Sequence, residues 1–217
     1  MGIAERKARE REKRKNSIID AAEQVFFANG VDAATMDELA EKSELSKGTL
    51  YLYFKSKEDI YLAITERALN VLTTLFQEAF AKESTGMEKI RAIGFAYFRF
   101  SQDYPDYFKS MTYFDAYPGI FDEKTPSARE CAQRGDDVMK IVTQAVACGI
   151  QDGSIRSDID PIKTALLLWA QSNGILQMLS CKWKHIQEQH ISMSFQSTEE
   201  FVASAYKLIE AGLEPRS

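Results

Sequence analysis

Between residues 35 and 57 the chain reads TMDELAEKSELSKGTLYLYFKSK, and its caps, turn and apolar spacing admit one local arrangement: two short helices at a sharp angle and the opening of a third. Thr35 is followed three residues later by Glu38, so hydroxyl and carboxylate can cap each other's backbone donors and start a helix at Met36. Met36, Leu39 and Ala40 then share one face of it. After a brief connection over 43–45, Ser46 is placed to cap a second helix running from Lys47 to about Tyr53. On its wheel Ser46, Leu50 and Phe54 share a side and are expected to pack inward, which leaves Lys47, Gly48, Thr49, Tyr51 and Leu52 on the outer arc.

That second helix is about 10 Å long at about 1.5 Å per residue, the size of a probe for a groove rather than of a core element. Leu52 on an outer arc needs a partner, and a thymine methyl in a major groove is one, with Thr49 and Tyr51 beside it for base or phosphate contacts. Gly48 lets the helix backbone approach closely. Lys47 and Lys57 each occupy the first position of a helix, where cations are disfavoured unless an external anion also meets the free backbone donors. From 45 to 57 there are three lysines and no acid. The alternative is that these lysines are merely solvated; the apolar Leu52 and the two tyrosines among them favour nucleic acid.

SKGTLYLYFKSKEDI, preceded by TMDELAEKSELS and by a helix ending FFANGV, resembles the DNA-binding domain of the TetR family of bacterial transcriptional regulators, with the close match covering about 17–62. The resemblance implies an all-α protein: a helix-turn-helix domain at 16–62, preceded by a charged arm at 1–15 and joined by a long helix to a ligand-binding and dimerisation domain at 63–217. It places Lys47, Gly48, Thr49, Tyr51 and Leu52 at recognition positions, Tyr53 and Lys57 at phosphate contacts, and Thr35 and Ser46 among the residues that meet DNA. It also implies an aromatic-lined effector cavity.

Ile18, Ile19, Ala22, Val25 and Phe26 recur at helical spacing from Asn16, and Gly30 is placed to end that helix in a left-handed cap. Ile18, Ala22, Phe26, Leu39, Leu50 and Phe54 are then the core of a three-helix unit. The segment ERKAREREKRK at 5–15, with seven basic and three acidic residues, either extends the first helix as a solvated arm or lies as a tail along DNA. From Lys57, with Glu58 and Asp59 in its first turn, a helix runs to about Phe80, long enough to serve both the small unit and the domain C-terminal to it.

A further helix carries Ile90, Ile93, Tyr97, Phe100 and Tyr104 and ends at Pro105, after which aromatics crowd as far as Phe121. Packing is the ordinary explanation of each. For the cluster as a whole the family resemblance favours a cavity, with Phe98, Gln102, Tyr107, Phe108, Met111, Tyr113, Phe114, Trp169 and Asn173 as candidate contacts to a small hydrophobic or amphipathic effector. Arg91, Arg99 and Lys109 nearby permit an anionic head group. The next helix spans 127–151, and Asp160 with Pro161 starts another that is apolar on more than one face. Residues 161–183 and 198–212 suit a symmetric four-helix interface through Leu166, Trp169, Leu176, Phe201, Ala205 and Leu208, or else close an intramolecular core.

Net charge −5 over 217 residues argues against indiscriminate coating of nucleic acid and is compatible with a specific reader bearing a local basic surface. No apolar run is long enough for a membrane span and the N-terminus lacks a secretory pattern, so a cytoplasmic address is expected. Cys131, Cys148 and Cys181 show no CxxC pairing and read as free thiols, a redox sensor being the alternative. His185 and His190 lack a ligand set, no catalytic constellation is visible, and no metal or cofactor is called for. The chain is expected to be a homodimeric repressor of a near-palindromic operator, double-stranded and read in two major grooves about 34–36 Å apart, released by a small effector. A ligand-independent or activating DNA-binding protein, or an all-helical enzyme, are the alternatives.

Overall fold

The computed structural model describes residues 2–116, 125–188 and 197–215, without the side chains of 114–116 and 181–188. The expectations for Phe114, Phe121, Cys181, His185 and His190 lie outside that description. Nine helices and no strand are present among the described residues: α1 (Ile3–Asn29), α2 (Met36–Lys42), α3 (Lys47–Tyr51), α4 (Lys57–Lys82), α5 (Gly86–Asp103), α6 (Pro105–Ala116), α7 (Pro126–Asp152), α8 (Pro161–Glu188) and α9 (Thr198–Leu213). Packing divides the chain into two compact units, Met1–Asn70 with Asp106–Arg134, and Val71–Pro105 with Gly135–Ser217.

In the first unit α1, α2, α3 and the start of α4 bury Ile18, Ala22, Phe26, Leu39, Leu50 and Phe54, the six side chains expected to form this core. Full burial of a Leu or Phe contributes about 1.5–3 kcal/mol. α1 begins at Ile3, so the basic arm is a continuation of the first helix, exposed almost throughout. Gly30 ends α1 at φ 79 and ψ 162, which is not the left-handed helical cap expected but the extended positive-φ region, where only glycine is at ease. α6 also packs in this unit: the Tyr107 ring meets Phe27 edge-on at 5.9 Å, and the Tyr113 ring meets Tyr61 at 5.3 Å.

The second unit is closed by backbone approach as much as by side chains. The Thr85–Glu88 capping box starts α5, and the Asp152 carboxylate accepts the Gly86 N–H at 2.7 Å. A Cβ on Gly86 would lie 2.0 Å from the Gly149 nitrogen, so only glycine lets α5 and α7 meet there. Asp160 caps α8 by accepting the Lys163 N–H at 2.8 Å, with Pro161 first in the helix. Ser197 caps α9, accepting from Glu200 N–H at 3.2 Å.

Candidate functional site

Each short helix of the 35–57 stretch is set by a hydroxyl. Thr35 accepts the Glu38 N–H at 3.2 Å and Ser46 accepts the Thr49 N–H at 3.1 Å. Glu38 does not turn back to complete a capping box as expected; its carboxylate accepts from the Asn29 side chain at 3.0 Å, tying α2 to the end of α1. The turn between α2 and α3 closes by Leu45 N–H to Ala40 C=O at 2.9 Å and Glu44 N–H to Glu41 C=O at 3.0 Å, with Glu44 at φ 56. That is the pairing of a Schellman motif, in which a glutamate holds the left-handed position usually given to glycine.

α3 is shorter than expected, and Leu52 and Tyr53 form a turn bonded back to Thr49 and Leu50. Leu50 and Phe54 are buried, but Ser46, expected to pack inward, is exposed, because its side chain is spent on the cap. The outer arc carries Lys47, Gly48, Thr49, Tyr51 and Leu52, and Leu52 is 71% exposed. The Lys47 ammonium lies 2.8 Å from Asp37 of α2, whose hydrogen bond raises its pKa, so the cation is tethered between the two short helices. Arg11 of the arm stands over the Tyr53 ring at 5.8 Å.

Ser56 caps α4 by accepting the Asp59 N–H at 3.2 Å, and Asp59 in turn accepts the Lys55 N–H at 3.0 Å. Lys57 donates to the carbonyls of Asp32 at 2.9 Å and Ala34 at 3.1 Å, which leaves one of its three ammonium protons for an outside acceptor. The same loop is held from the other side, where the Tyr113 hydroxyl donates to the Asp32 carboxylate at 3.0 Å. Tyr107 donates to Glu23 at 3.0 Å; burial first, and then the Glu23 charge, pushes its phenol up to about 12. Arg67 meets Asp20 at 2.6 Å and Glu23 at 3.2 Å, and these carboxylates outweigh burial, which acts to lower the guanidinium pKa, and raise it.

The eight effector candidates with described side chains are therefore divided. Tyr107, Phe108, Met111 and Tyr113 lie in the first unit, with Phe108 and Met111 buried and both tyrosine hydroxyls engaged. Phe98, Gln102, Trp169 and Asn173 lie in the second. There a cavity of ≈ 30 Å³ is lined by Trp169 together with Phe76, Gly94, Tyr97, Ser172 and Tyr206. Tyr97 stacks on Trp169 with ring centroids 5.0 Å apart and donates to the Asn173 side chain at 2.5 Å. Phe98 is buried outside this lining and Gln102 is exposed. Gly94, Ser172 and Tyr206 were not expected here; Tyr97 was visible in its helical stripe, but nothing local marks Tyr206. Two of the three cations expected near an anionic head group are turned elsewhere: Arg91 is paired with Glu210 at 2.5 Å and 2.7 Å, and Lys109 with Asp106 at 3.1 Å, while Arg99 lines a separate cleft with Phe95 and Asp103.

Of the interface candidates, Leu166 is 55% and Leu208 78% exposed, while Leu176 is 1% exposed and belongs to the protomer's own core. Trp169, Phe201 and Ala205 are half-buried.

Residues 18–64 match the family described as bacterial regulatory proteins, tetR family, and residues 90–199 match the tetracyclin repressor-like C-terminal domain. The HTH-type transcriptional regulator QacR of Staphylococcus aureus is 30% identical over 157 residues, 61% of this chain and 81% of that protein. The HTH-type transcriptional activator FasR of Mycolicibacterium smegmatis is 34% identical over 90 residues, 42% of this chain and 41% of that one. The crystal structure of the transcriptional regulator FadR from Bacillus subtilis in complex with stearoyl-CoA shares the fold at TM-score 0.66 and 18% identity, covering 91% of this chain and 98% of that one.

Proposed function

Starting from a chain that belongs to the TetR family of bacterial regulatory proteins and is a helix-turn-helix transcriptional regulator, we propose that it is a cytoplasmic homodimeric repressor released from a near-palindromic operator by a small, largely apolar effector. Lys47, Gly48, Thr49, Tyr51 and Leu52 read the major groove, and Thr35, Ser46, Tyr53 and Lys57 hold the phosphate backbone. Residues 16–62 are the DNA-binding domain, behind the arm 1–15, and 63–217 bind effector and dimerise. The exposed faces of α8 and α9 around Leu166 and Leu208 supply an apolar seam for the second protomer. The cavity beside Tyr97 and Trp169 receives the effector.

The observation that carries the reading is the 71% exposure of Leu52 next to the buried Leu50 and Phe54. A large apolar side chain held in water on a rigid, cation-bearing turn is explained by a groove with methyl groups in it. Selection from a random duplex pool, followed by anisotropy titration of the recovered duplex, tests this. Specific retention is expected, with Leu52→Ala losing discrimination at one or two base positions, at most the roughly 1–3 kcal/mol that a mismatched base pair costs. A recovered duplex held no better than its scrambled counterpart would overturn it. The name of the FasR relative favours a second reading, an activator of the same architecture, in which effector strengthens operator binding.

A further inference from the structure

The cavity in the second unit contains one loose end. Ser172 and Tyr206 are 8% and 5% exposed, both line the cavity, and their hydroxyl oxygens lie 3.4 Å apart. A hydroxyl pair at full strength sits at about 2.5–3.0 Å, so two deeply buried donors share one weak contact. The other polar pair at the cavity, Tyr97 to Asn173, is closed at 2.5 Å. Tyr206 cannot easily turn to a better partner, because its ring packs into the space beside Gly94, where a Cβ would come 2.4 Å from it. Space of ≈ 30 Å³ beside this pair is room for about one or two water-sized groups.

Charge is the second constraint. Among the described residues that line the cavity none is a Lys, Arg, Asp or Glu, and Arg91 is committed to Glu210. An ion placed there would be buried without a counter-charge, whereas an uncharged oxygen would be welcomed by two underused donors. The surroundings treat their own titratable group in the same way: burial raises the Tyr206 pKa, with the Ser172 hydrogen bond acting the other way.

We infer that the cavity takes an uncharged, largely apolar molecule carrying one hydrogen-bonding oxygen, which seats between Ser172 and Tyr206 as the surrounding aromatics part. This rests on the effector reading above and narrows it to a chemical class. The seat excludes a buried carboxylate, a quaternary ammonium or an acyl thioester whose charged carrier must follow it inward.

The full-length protein with Trp183→Phe, which makes Trp169 the sole indole, is titrated with 2-acetylnaphthalene, naphthalene, 2-naphthoate and stearoyl-CoA, reading both Trp169 emission and retention of the selected operator. The ketone is expected to bind at least tenfold more tightly than the carboxylate or the thioester. Tyr206→Phe and Ser172→Ala should each weaken the ketone about fivefold and leave naphthalene unchanged, the mark of one lost neutral hydrogen bond; either variant suffices if the other does not fold. Tighter binding of 2-naphthoate or stearoyl-CoA with release of operator would overturn the class while leaving the effector reading intact, and so would equal losses for ketone and naphthalene. If none of the four alters Trp169 emission or operator retention, the effector reading falls and this inference falls with it.

Discussion

Lys57→Ala separates the loop contacts that the structure shows for this amine from the phosphate contact proposed for it. Wild-type Lys57 spends two protons on the Asp32 and Ala34 carbonyls, at 2.9 Å and 3.1 Å, and the third is the one proposed to meet a phosphate. Each phosphate neutralised contributes about 0.9 to the slope of log affinity against log salt, so two protomers lose about 1.8. Between about 50 and 200 mM salt, a fourfold change, wild-type affinity should therefore fall by about 12-fold more than that of the variant. The same substitution removes two of the contacts that hold the loop at 32–34, leaving that of Tyr113 on Asp32. Hydrogen bonds from a charged donor contribute about 1.5–3 kcal/mol when well shielded; discounted for the half-exposed setting, the pair supplies about 1–2 kcal/mol, or about 2–8 °C in Tm. Lys57→Gln, which keeps donors without charge, should recover part of the Tm and none of the slope. Anisotropy titrations of the selected operator at several salt concentrations, with thermal melts beside them, read both quantities. An unchanged slope with a lowered Tm would refute the reasoning, for it would mean that the amine serves the loop alone.

Three other perturbations test the packing. Gly86→Ala places a methyl 2.0 Å from the Gly149 nitrogen, a backbone atom that no rotamer change can move aside; a loss of about 1–3 kcal/mol or more is expected in thermal melts followed by circular dichroism. Burial, and then the Glu130 charge, raises the Glu66 pKa above its ordinary 4.5, while Lys15, Arg134 at 3.9 Å and a hydrogen bond from Asn70 offset this only in part. The folded state therefore resists ionising Glu66, and the penalty appears as pH rises above 4.5 and levels off beyond the raised folded value. Glu66→Gln should melt like wild type in acid and above it near neutrality, and a difference of the opposite sign would refute the assignment. Leu208→Glu puts a charge at a residue 78% exposed in the protomer, so the monomer should keep its helicity while light scattering shows the dimer lost.

The helix-turn-helix was legible because its determinants are local. Thr35, Ser46 and Ser56 cap helices within three residues of themselves, and the spacing of Leu50 and Phe54 states which side is core. What stayed hidden depends on partners distant in sequence or on backbone values that no pattern encodes. Glu44 takes φ 56 without the glycine that would have announced it. Lys57 reaches carbonyls at 32 and 34, which no side-chain pattern marks. The aromatic run after Pro105 has rings on several faces of α6, and periodicity could not say that Tyr107 and Tyr113 face α1 and the loop after it. Leu176, on a helix apolar on more than one face, was equally ambiguous between core and seam until its burial was known. Tyr206 joins the cavity by resting on Gly94, a pairing across separate helices with no local trace.

The size of the cavity bears on the sign of regulation. Sites that enclose a drug-sized molecule run to about 300–1,000 Å³, and this one has ≈ 30 Å³, so any naphthalene-sized effector must bind a more open conformer. Its apparent affinity is then the intrinsic affinity reduced by the fraction of protein already open. Operator and effector act on one equilibrium, and the sign of their coupling is set by which conformer fits the operator. If the closed cavity belongs to the operator-binding form, effector releases DNA, as the reading of an effector-released repressor requires. If operator requires the open form, the same effector strengthens binding, as the activator reading demands. Reciprocity lets one titration decide: in a repressor, saturating operator must weaken the response of Trp169 to the ketone by the same factor by which the ketone weakens operator binding. A tighter response in the presence of operator would reverse the assignment.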